Sequence, residues 1–273
     1  MSGMRSPDRR YTTATARDTD LHGKTAIVTG ASRGLGAGMA LDLARKGASV
    51  MLLYTSDSSA PKVQSLITQI TSLPHAPSAV SCKADLSSET APAAVLAALD
   101  AWLGPDAHID ILINNAGTEL NAPLGNITTA DFAKVYDLNV RAPLLLTQAL
   151  LPRLASKEAR IINIGSVGGR QGFPGLGLYC SSKAALEGLT RVWARELGRN
   201  GTTVNCVAPG PVESDMLDKI PKELVEMQRR QTPVENRTGT VEEVARIVSW
   251  LAGPESSWVS GQVISASGGW AMY

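Results

Sequence analysis

Cysteine and histidine are scarce, with three of each in 273 residues, and none of the six is grouped. Cys82, Cys180 and Cys206 are too widely spaced to suggest a metal-ligand set or a disulfide framework. No metal is therefore expected, and a reducing, cytoplasmic compartment is the expected setting. His22, His75 and His108 are scattered and read as surface or turn residues. No apolar run approaches the roughly 20 residues of a membrane-spanning helix, so no membrane span is expected. Charge of one sign is also missing: 26 Lys and Arg against 25 Asp and Glu leave a net +1. That gives no electrostatic case for nucleic acid or an anionic membrane as partner. Residues 1–22 lack the apolar stretch of a secretory signal. Arg5, Arg9, Arg10 and Arg17 are offset there by Asp8, Asp18 and Asp20, and a loosely ordered extension is expected.

From Gly23 onward short apolar runs alternate with helical patterns. Strands are expected at 25–29, 49–54, 79–84, 109–114, 160–165, 203–207 and 262–265. Helices are expected at 34–46, 61–72, 87–102, 130–156, 180–198 and 240–251, the last opened by Thr240 and Glu243 as a capping box. Apolar strands joined by helices imply a parallel sheet covered on both faces. Right-handed crossovers then give an α/β fold, one doubly wound, seven-stranded domain over 23–273. A polar insertion follows Pro209. It carries Met216, Leu217, Ile220, Leu224 and Met227 among charges, the pattern of a lid over an apolar substrate or of a helix packed on the body.

Two stretches carry chemistry. The first strand runs into TGASRGLG at 29–36, with glycines at 30, 34 and 36 before a helix. A sharp turn there lets a pyrophosphate approach the backbone and the helix N-terminus. The second stretch is SVGGRQGFPGLGLYCSSK at 166–183. Tyr179 and Lys183 stand at i and i+4, which stacks them on one helix face. Ser166 closes a strand. A free phenol titrates near 10, and a neighbouring lysine cation is expected to lower that value. Tyr179 can then serve as acid or base, Lys183 as its tuner, and Ser166 as the holder of a substrate oxygen.

These stretches, with Asn114-Asn115-Ala116-Gly117, Asn139 and Pro209-Gly210, resemble the short-chain dehydrogenase/reductase family in its classical branch. The motifs occur in the family's order and cover the chain from about Gly23 to its end. The resemblance implies a Rossmann-type fold and a catalytic tetrad of Asn139, Ser166, Tyr179 and Lys183. Tyr179 would transfer the proton, and Ser166 would hydrogen-bond the carbonyl oxygen. Lys183 would grip the nicotinamide ribose, and Asn139 would hold a water linking Lys183 to solvent. Gly30, Ser32, Arg33, Gly34, Leu35 and Gly36 would line the cofactor phosphates. Asp85 and Leu86, with Asn115, Ala116 and Gly117, would border the adenosine, and Pro209, Gly210 and Val212 the nicotinamide. Two of these have plainer readings: Asn139 as a polar residue bending its helix, and Asp85 as a cap on the helix starting near Ser87.

An acid at the end of the second strand usually grips an NAD ribose. Here that slot holds Tyr54, followed by Thr55 and Ser56. Tyr54 cannot repel a 2′-phosphate, Arg33 can pair with one, and the two hydroxyls can donate to it, which favours NADPH/NADP. Asp57, three residues past the slot, keeps NAD open. The substrate crevice is expected among 118–124, 168–178 and 211–239, with Phe173, Leu176 and Leu178 as apolar lining. No concentrated basic cluster there invites an anionic substrate, though Arg170 can bind one alone, and only Lys157 and Arg199 sit near the places of a carrier-protein landing patch. The ketoacyl-carrier-protein reductases and the fungal polyhydroxynaphthalene reductases are the groups most resembled. An NADPH-dependent reductase of an apolar, aromatic or polyketide-like ketone is expected. The alternatives are an NAD-linked alcohol or polyol dehydrogenase and a nucleotide-binding protein without turnover. The resemblance also implies a homo-oligomer, a tetramer, through the 130–156 and 181–198 helices and the C-terminal 267–273 segment.

Overall fold

A computed structural model of the protein describes residues 20–214, 217 and 222–273. Seven strands form one parallel sheet: β1 (Thr25–Val28), β2 (Ser49–Tyr54), β3 (Ala79–Lys83), β4 (Ile111–Asn114), β5 (Arg160–Ile164), β6 (Thr203–Pro209) and β7 (Val263–Ala266). Their spatial order is β3-β2-β1-β4-β5-β6-β7. The chain winds one way from β1 to β3 and the other way from β4 to β7. The crevice at the carboxyl ends of β1 and β4 is thus where ligands bind in such sheets.

The helices are α1 (Gly34–Arg45), α2 (Ala60–Thr71), α3 (Ala91–Leu103), α4 (Thr129–Tyr136), α5 (Ala142–Leu150), α6 (Gly177–Leu197), α7 (Lys222–Gln231) and α8 (Val241–Ala252). Strand side chains alternate between two cores. Ala26, Val28, Val50, Leu52, Ile111 and Ile113 face α1 and α8, while Ile27, Met51, Leu53 and Leu112 face α3, α5 and α6. Each such buried aliphatic side chain contributes roughly 1.5–3 kcal/mol, which is why the strands read as unbroken apolar runs. The expected capping box forms at Thr240 and Glu243.

Several boundaries differ from expectation. The 130–156 segment is not one helix. It breaks into α4, a π-turn over Asp137–Arg141, α5 and a 3-10 turn over Leu151–Arg153. Pro143 and Pro152 lie just inside the later pieces, where the missing N–H is tolerated. Helix α3 starts at Ala91 rather than Ser87, because Asp85 and Ser88 first close turns of their own. Helix α6 starts at Gly177, so Tyr179 sits in its first turn rather than ahead of it. Leu21 is buried and its N–H donates to the Lys46 carbonyl, so the chain is packed against the body before Gly23. The rest of the expected extension lies outside the described residues. Within the insertion, α7 buries no residue, Leu224 and Met227 are exposed, and Leu217 is buried. Met216 and Ile220 lie outside the described residues. No helix among the described residues is long and apolar enough to cross a membrane.

Candidate active site

Thr29, at the end of β1, is the hub of the nucleotide end. Its hydroxyl accepts hydrogen bonds from the Asn115 and Ala116 backbone N–H groups, both at 2.8 Å. The Asn115 amide returns across the gap, donating to the Thr29 carbonyl at 2.8 Å and the Gly30 carbonyl at 3.2 Å. The glycine turn is thereby tied to the end of β4. Gly30 and Gly34 have φ of +64° and +53°, the left-handed region that favours glycine. A Cβ on Gly36 would stand 2.2 Å from the Gly30 carbonyl oxygen, so only glycine lets α1 start this close to the turn. The first turn of α1 holds no acidic residue, and Arg33 at its N-cap makes no side-chain capping bond. Backbone donors there fit an anion, and the turn fits a dinucleotide pyrophosphate.

At the ribose end, β2 stops at Tyr54, in register with Lys83. Asp57 is held by Lys83 at 2.6 Å and points its carboxylate at that cation. Thr55 and Ser56 are exposed beyond the strand, and the Ser56 hydroxyl bonds those of Ser58 and Ser59. The Asp85 carboxylate accepts from the backbone N–H and hydroxyl of Ser87 in a turn, not at a helix start. Leu86 is buried beside it. Asn115 spends its amide on the glycine turn, so its side chain supports the site rather than facing it.

The second stretch converges on the same crevice. Ser166 follows β5 in extended conformation, and its hydroxyl accepts from the Gly168 N–H at 3.0 Å. Tyr179 and Lys183 project from the first two turns of α6. The buried Lys183 ammonium donates to the Ile164 carbonyl at 2.8 Å and lies 5.7 Å from the Tyr179 ring centre. Burial pushes the Lys183 ammonium down to about 8. Burial also pushes the Tyr179 phenol up to about 12, with the Ser166 hydroxyl pulling the other way. The expected net lowering by Lys183 is therefore not found. At this separation, desolvation of the phenolate outweighs the cation.

Asn139 lies in the π-turn, a distortion that often marks functional positions. Its amide is committed. The oxygen accepts from the Thr118 N–H, and the nitrogen donates to the Thr118 carbonyl and to Ser182 Oγ. A Cβ on Gly117 would lie 3.3 Å from both Asn139 Oδ1 and Lys183 Nζ, so glycine keeps the space between them open. Ser182, unremarked in the sequence, is fully buried and links Asn139 to the Tyr179 carbonyl. Its place between Tyr179 and Lys183 was the available signal.

On the far side, Pro209 ends β6. The Gly210 N–H bonds Ala266, and Val212 is buried in a bridge to Gly239. Phe173 stacks on Trp270 with ring centres 5.7 Å apart. Leu178 is buried and Leu176 partly so. Arg170 is bound to Glu187 at 2.9 Å, which corrects its reading as a cation set aside for a substrate carboxylate.

A family model described as Enoyl-(Acyl carrier protein) reductase matches residues 30–271. Short-chain dehydrogenase/reductase FrzI of Cladobotryum sp is 39% identical over 90% of this chain and 95% of its own. The chain belongs to the short-chain dehydrogenase/reductase family. Other relatives in it include L-xylo-3-hexulose reductase of Hypocrea jecorina, 39% identical over 92% of this chain and 97% of its own. Hydroxynaphthalene reductase-like protein Arp2 of Metarhizium robertsii is 36% identical over 91% and 95%. Among solved structures, a blue fluorescent protein from a metagenomic library in complex with NADPH superposes with a TM-score of 0.85. It is 36% identical and covers 93% of this chain and 100% of its own. The chain is thus an oxidoreductase of a family acting on alcohol and ketone groups.

The glycine turn yields a direct check. Gly36→Ala should destabilise the fold by about 1–3 kcal/mol in urea unfolding, because the new methyl group meets a carbonyl oxygen. It should also abolish protein-fluorescence quenching by added dinucleotide. Wild-type stability with intact quenching would contradict the close approach.

Proposed function

We propose that this short-chain dehydrogenase/reductase is an NADPH-dependent reductase of an apolar, aromatic or polyketide-like ketone. The observation that carries the reading is the convergence of Ser166, Tyr179 and Lys183 beside the glycine turn. When bound, the nicotinamide supplies the hydride. Backbone N–H groups at 30–36 hold the pyrophosphate, with Ser32 and Leu35 at the turn. Asp85, Leu86 and Asn115 to Gly117 border the adenosine, and Pro209, Gly210 and Val212 the nicotinamide. Arg33, Thr55 and Ser56 face the 2′-phosphate, next to the uncharged Tyr54. The Asp57–Lys83 pair supports NADP over NAD, since that carboxylate is already engaged.

Ser166 donates its hydroxyl hydrogen to the substrate carbonyl oxygen and Tyr179 delivers its phenol proton to the same atom. Lys183, once turned toward the ribose, brings its cation to the phenolate left behind. Asn139, its amide tied to Thr118 and Ser182, positions the wall of the space kept by Gly117, through which water returns a proton. Phe173, Leu178 and Trp270 support an apolar or flat substrate. The likeness to L-xylo-3-hexulose reductase favours a second reading, a polyol or keto-sugar substrate. Kinetics with naphthalenone-type ketones against ketohexoses separates the two. Exposed Phe132, Val192, Trp258 and Met272 support a homo-oligomer, a tetramer by family resemblance, which sedimentation would check.

Tyr179→Phe should lower kcat by about 10²- to 10⁴-fold while NADPH binding, followed by fluorescence, stays near wild type. Ketone reduction needs the phenol and should be lost as pH rises through its pKa. Alcohol oxidation needs the phenolate and should be lost as pH falls. For ketone reduction, kcat/KM, which reports the free enzyme, should fall above pH about 8, where Lys183 loses its charge. A Tyr179→Phe enzyme that keeps most of its kcat would end the assignment.

Arg33→Ala should raise the KM for NADPH about tenfold to a hundredfold, the worth of one charge-assisted contact to phosphate. The KM for NADH should stay unchanged. Equal kcat/KM for the two cofactors in the unmodified protein would remove the basis for NADP preference.

A further inference from the structure

The turn that leaves Ser166 runs back along α6. A Cβ on Gly168 would lie 3.4 Å from the Cys180 sulfur. A Cβ on Gly169 would stand 2.8 Å from Glu187 Oε1 and 3.3 Å from the Ala184 nitrogen, so this glycine is pressed onto the Lys183–Glu187 turn. Arg170 comes next and donates from Nε to Glu187 Oε2 at 2.9 Å. Segment 166–170 therefore meets the helix at both ends: Ser166 opposite Tyr179, and Arg170 opposite Glu187, eight residues further along the same face.

Glu187 is an expensive choice for stability alone. It is 4% exposed, and its Oε1 has no hydrogen-bond partner among the described residues. Taking a carboxylate out of water costs stability, and its attraction to a partly exposed guanidinium repays that only in part. What the pair does supply is position. The Arg170 guanidinium also lies 4.4 Å over the Tyr273 ring. The segment before Tyr273 is pinned in turn, its Ala271 carbonyl accepting from the Ser265 and Ser267 hydroxyls. Trp270 in that segment stacks on Phe173. One ion pair, with its carboxylate buried and its guanidinium 34% exposed, thus joins the Ser166 turn, the Tyr179 helix and the C-terminal segment.

We propose that Arg170 and Glu187 are positioning residues. Their ion pair holds the turn so that the Ser166 and Tyr179 hydroxyls face one carbonyl oxygen. Through Tyr273 it also fixes the Phe173–Trp270 wall of the substrate crevice. This rests on the reading of Ser166 and Tyr179 as the groups that meet the substrate oxygen.

The test compares Arg170→Ala, Arg170→Lys and Glu187→Gln in the full chain, with Tyr179→Phe in parallel. Arg170→Ala and Glu187→Gln should lower kcat for ketone reduction by about tenfold to a hundredfold, the cost of a small misplacement. The KM for NADPH should stay within about twofold, since neither residue meets the nucleotide. Arg170→Lys, which keeps a cation at the latch, should recover most of the loss.

The pH profile gives a readout that a purely structural role would not move. Around the Tyr179 phenol, burial and the Glu119 and Cys180 charges act upward, while the Ser166 hydroxyl acts downward. Loosening Ser166 removes the downward pull, so the acid limb of alcohol oxidation should move to higher pH in Arg170→Ala. Unchanged kcat and an unmoved limb would overturn the proposal. So would a lowered Tm with full kcat per folded molecule. An active Tyr179→Phe would overturn the catalytic reading and this proposal with it. An inactive Tyr179→Phe beside an unaffected Arg170→Ala would overturn the proposal alone.

Discussion

Four hydrogen bonds between Thr29–Gly30 and Asn115–Ala116 hold the sheet together where its winding reverses. Leaving one such partly buried group without its partner costs about 1–3 kcal/mol, so these bonds set the geometry strictly. They bring the carboxyl ends of β1 and β4 into register and fix the glycine turn against β4. The site depends on that junction. Without it the N-terminus of α1 and the Tyr179 helix have no common reference.

A second polar chain continues from the junction into the helix layer. Asn114 donates to Asn163 at 2.9 Å, Asn163 donates to Thr190, and Thr190 bonds back to the Leu186 carbonyl of its own helix. Apolar packing alone would tolerate a slide of α6 along the sheet. Hydrogen-bonded buried polar groups do not, because a slide breaks these bonds in a low-dielectric interior. The register of α6, and with it the height of Tyr179 and Lys183 above β5, is set by these side chains.

Burial also governs the charges. Lys183 is held down and Tyr179 held up by the same cause, loss of water around the ionised form. The free protein therefore favours a protonated phenol near a lysine that releases its proton readily. The i, i+4 spacing led to the expectation that the Lys183 cation lowers the pKa of the Tyr179 phenol. That expectation underrated desolvation, because the depth of a side chain does not follow from its spacing. The same gap explains Arg170, which looked available for a substrate until its buried partner came into view.

The sheet was legible because period and composition are local. Unbroken apolar runs between helical patterns leave few arrangements other than a doubly wound parallel sheet, and all seven strands lie where the runs do. Tyr54 as the end of β2 was legible for the same reason. The glycine turn was legible because only glycine permits its φ and its closeness to α1. The break of the 130–156 segment was legible only in part: Pro143 and Pro152 disfavour a continuous helix, but nothing local marks a π-turn at Asp137–Arg141. The π-turn at Asn139 is fixed by bonds to Thr118 and Ser182, from parts of the chain 21 and 43 residues away. The sequence by itself determined the fold class, the family and the candidate residues for proton transfer. Tertiary structure alone decided which of them meet, how deep they lie and which charges are already paired. Those properties arise from contacts between distant segments, and no local pattern encodes them.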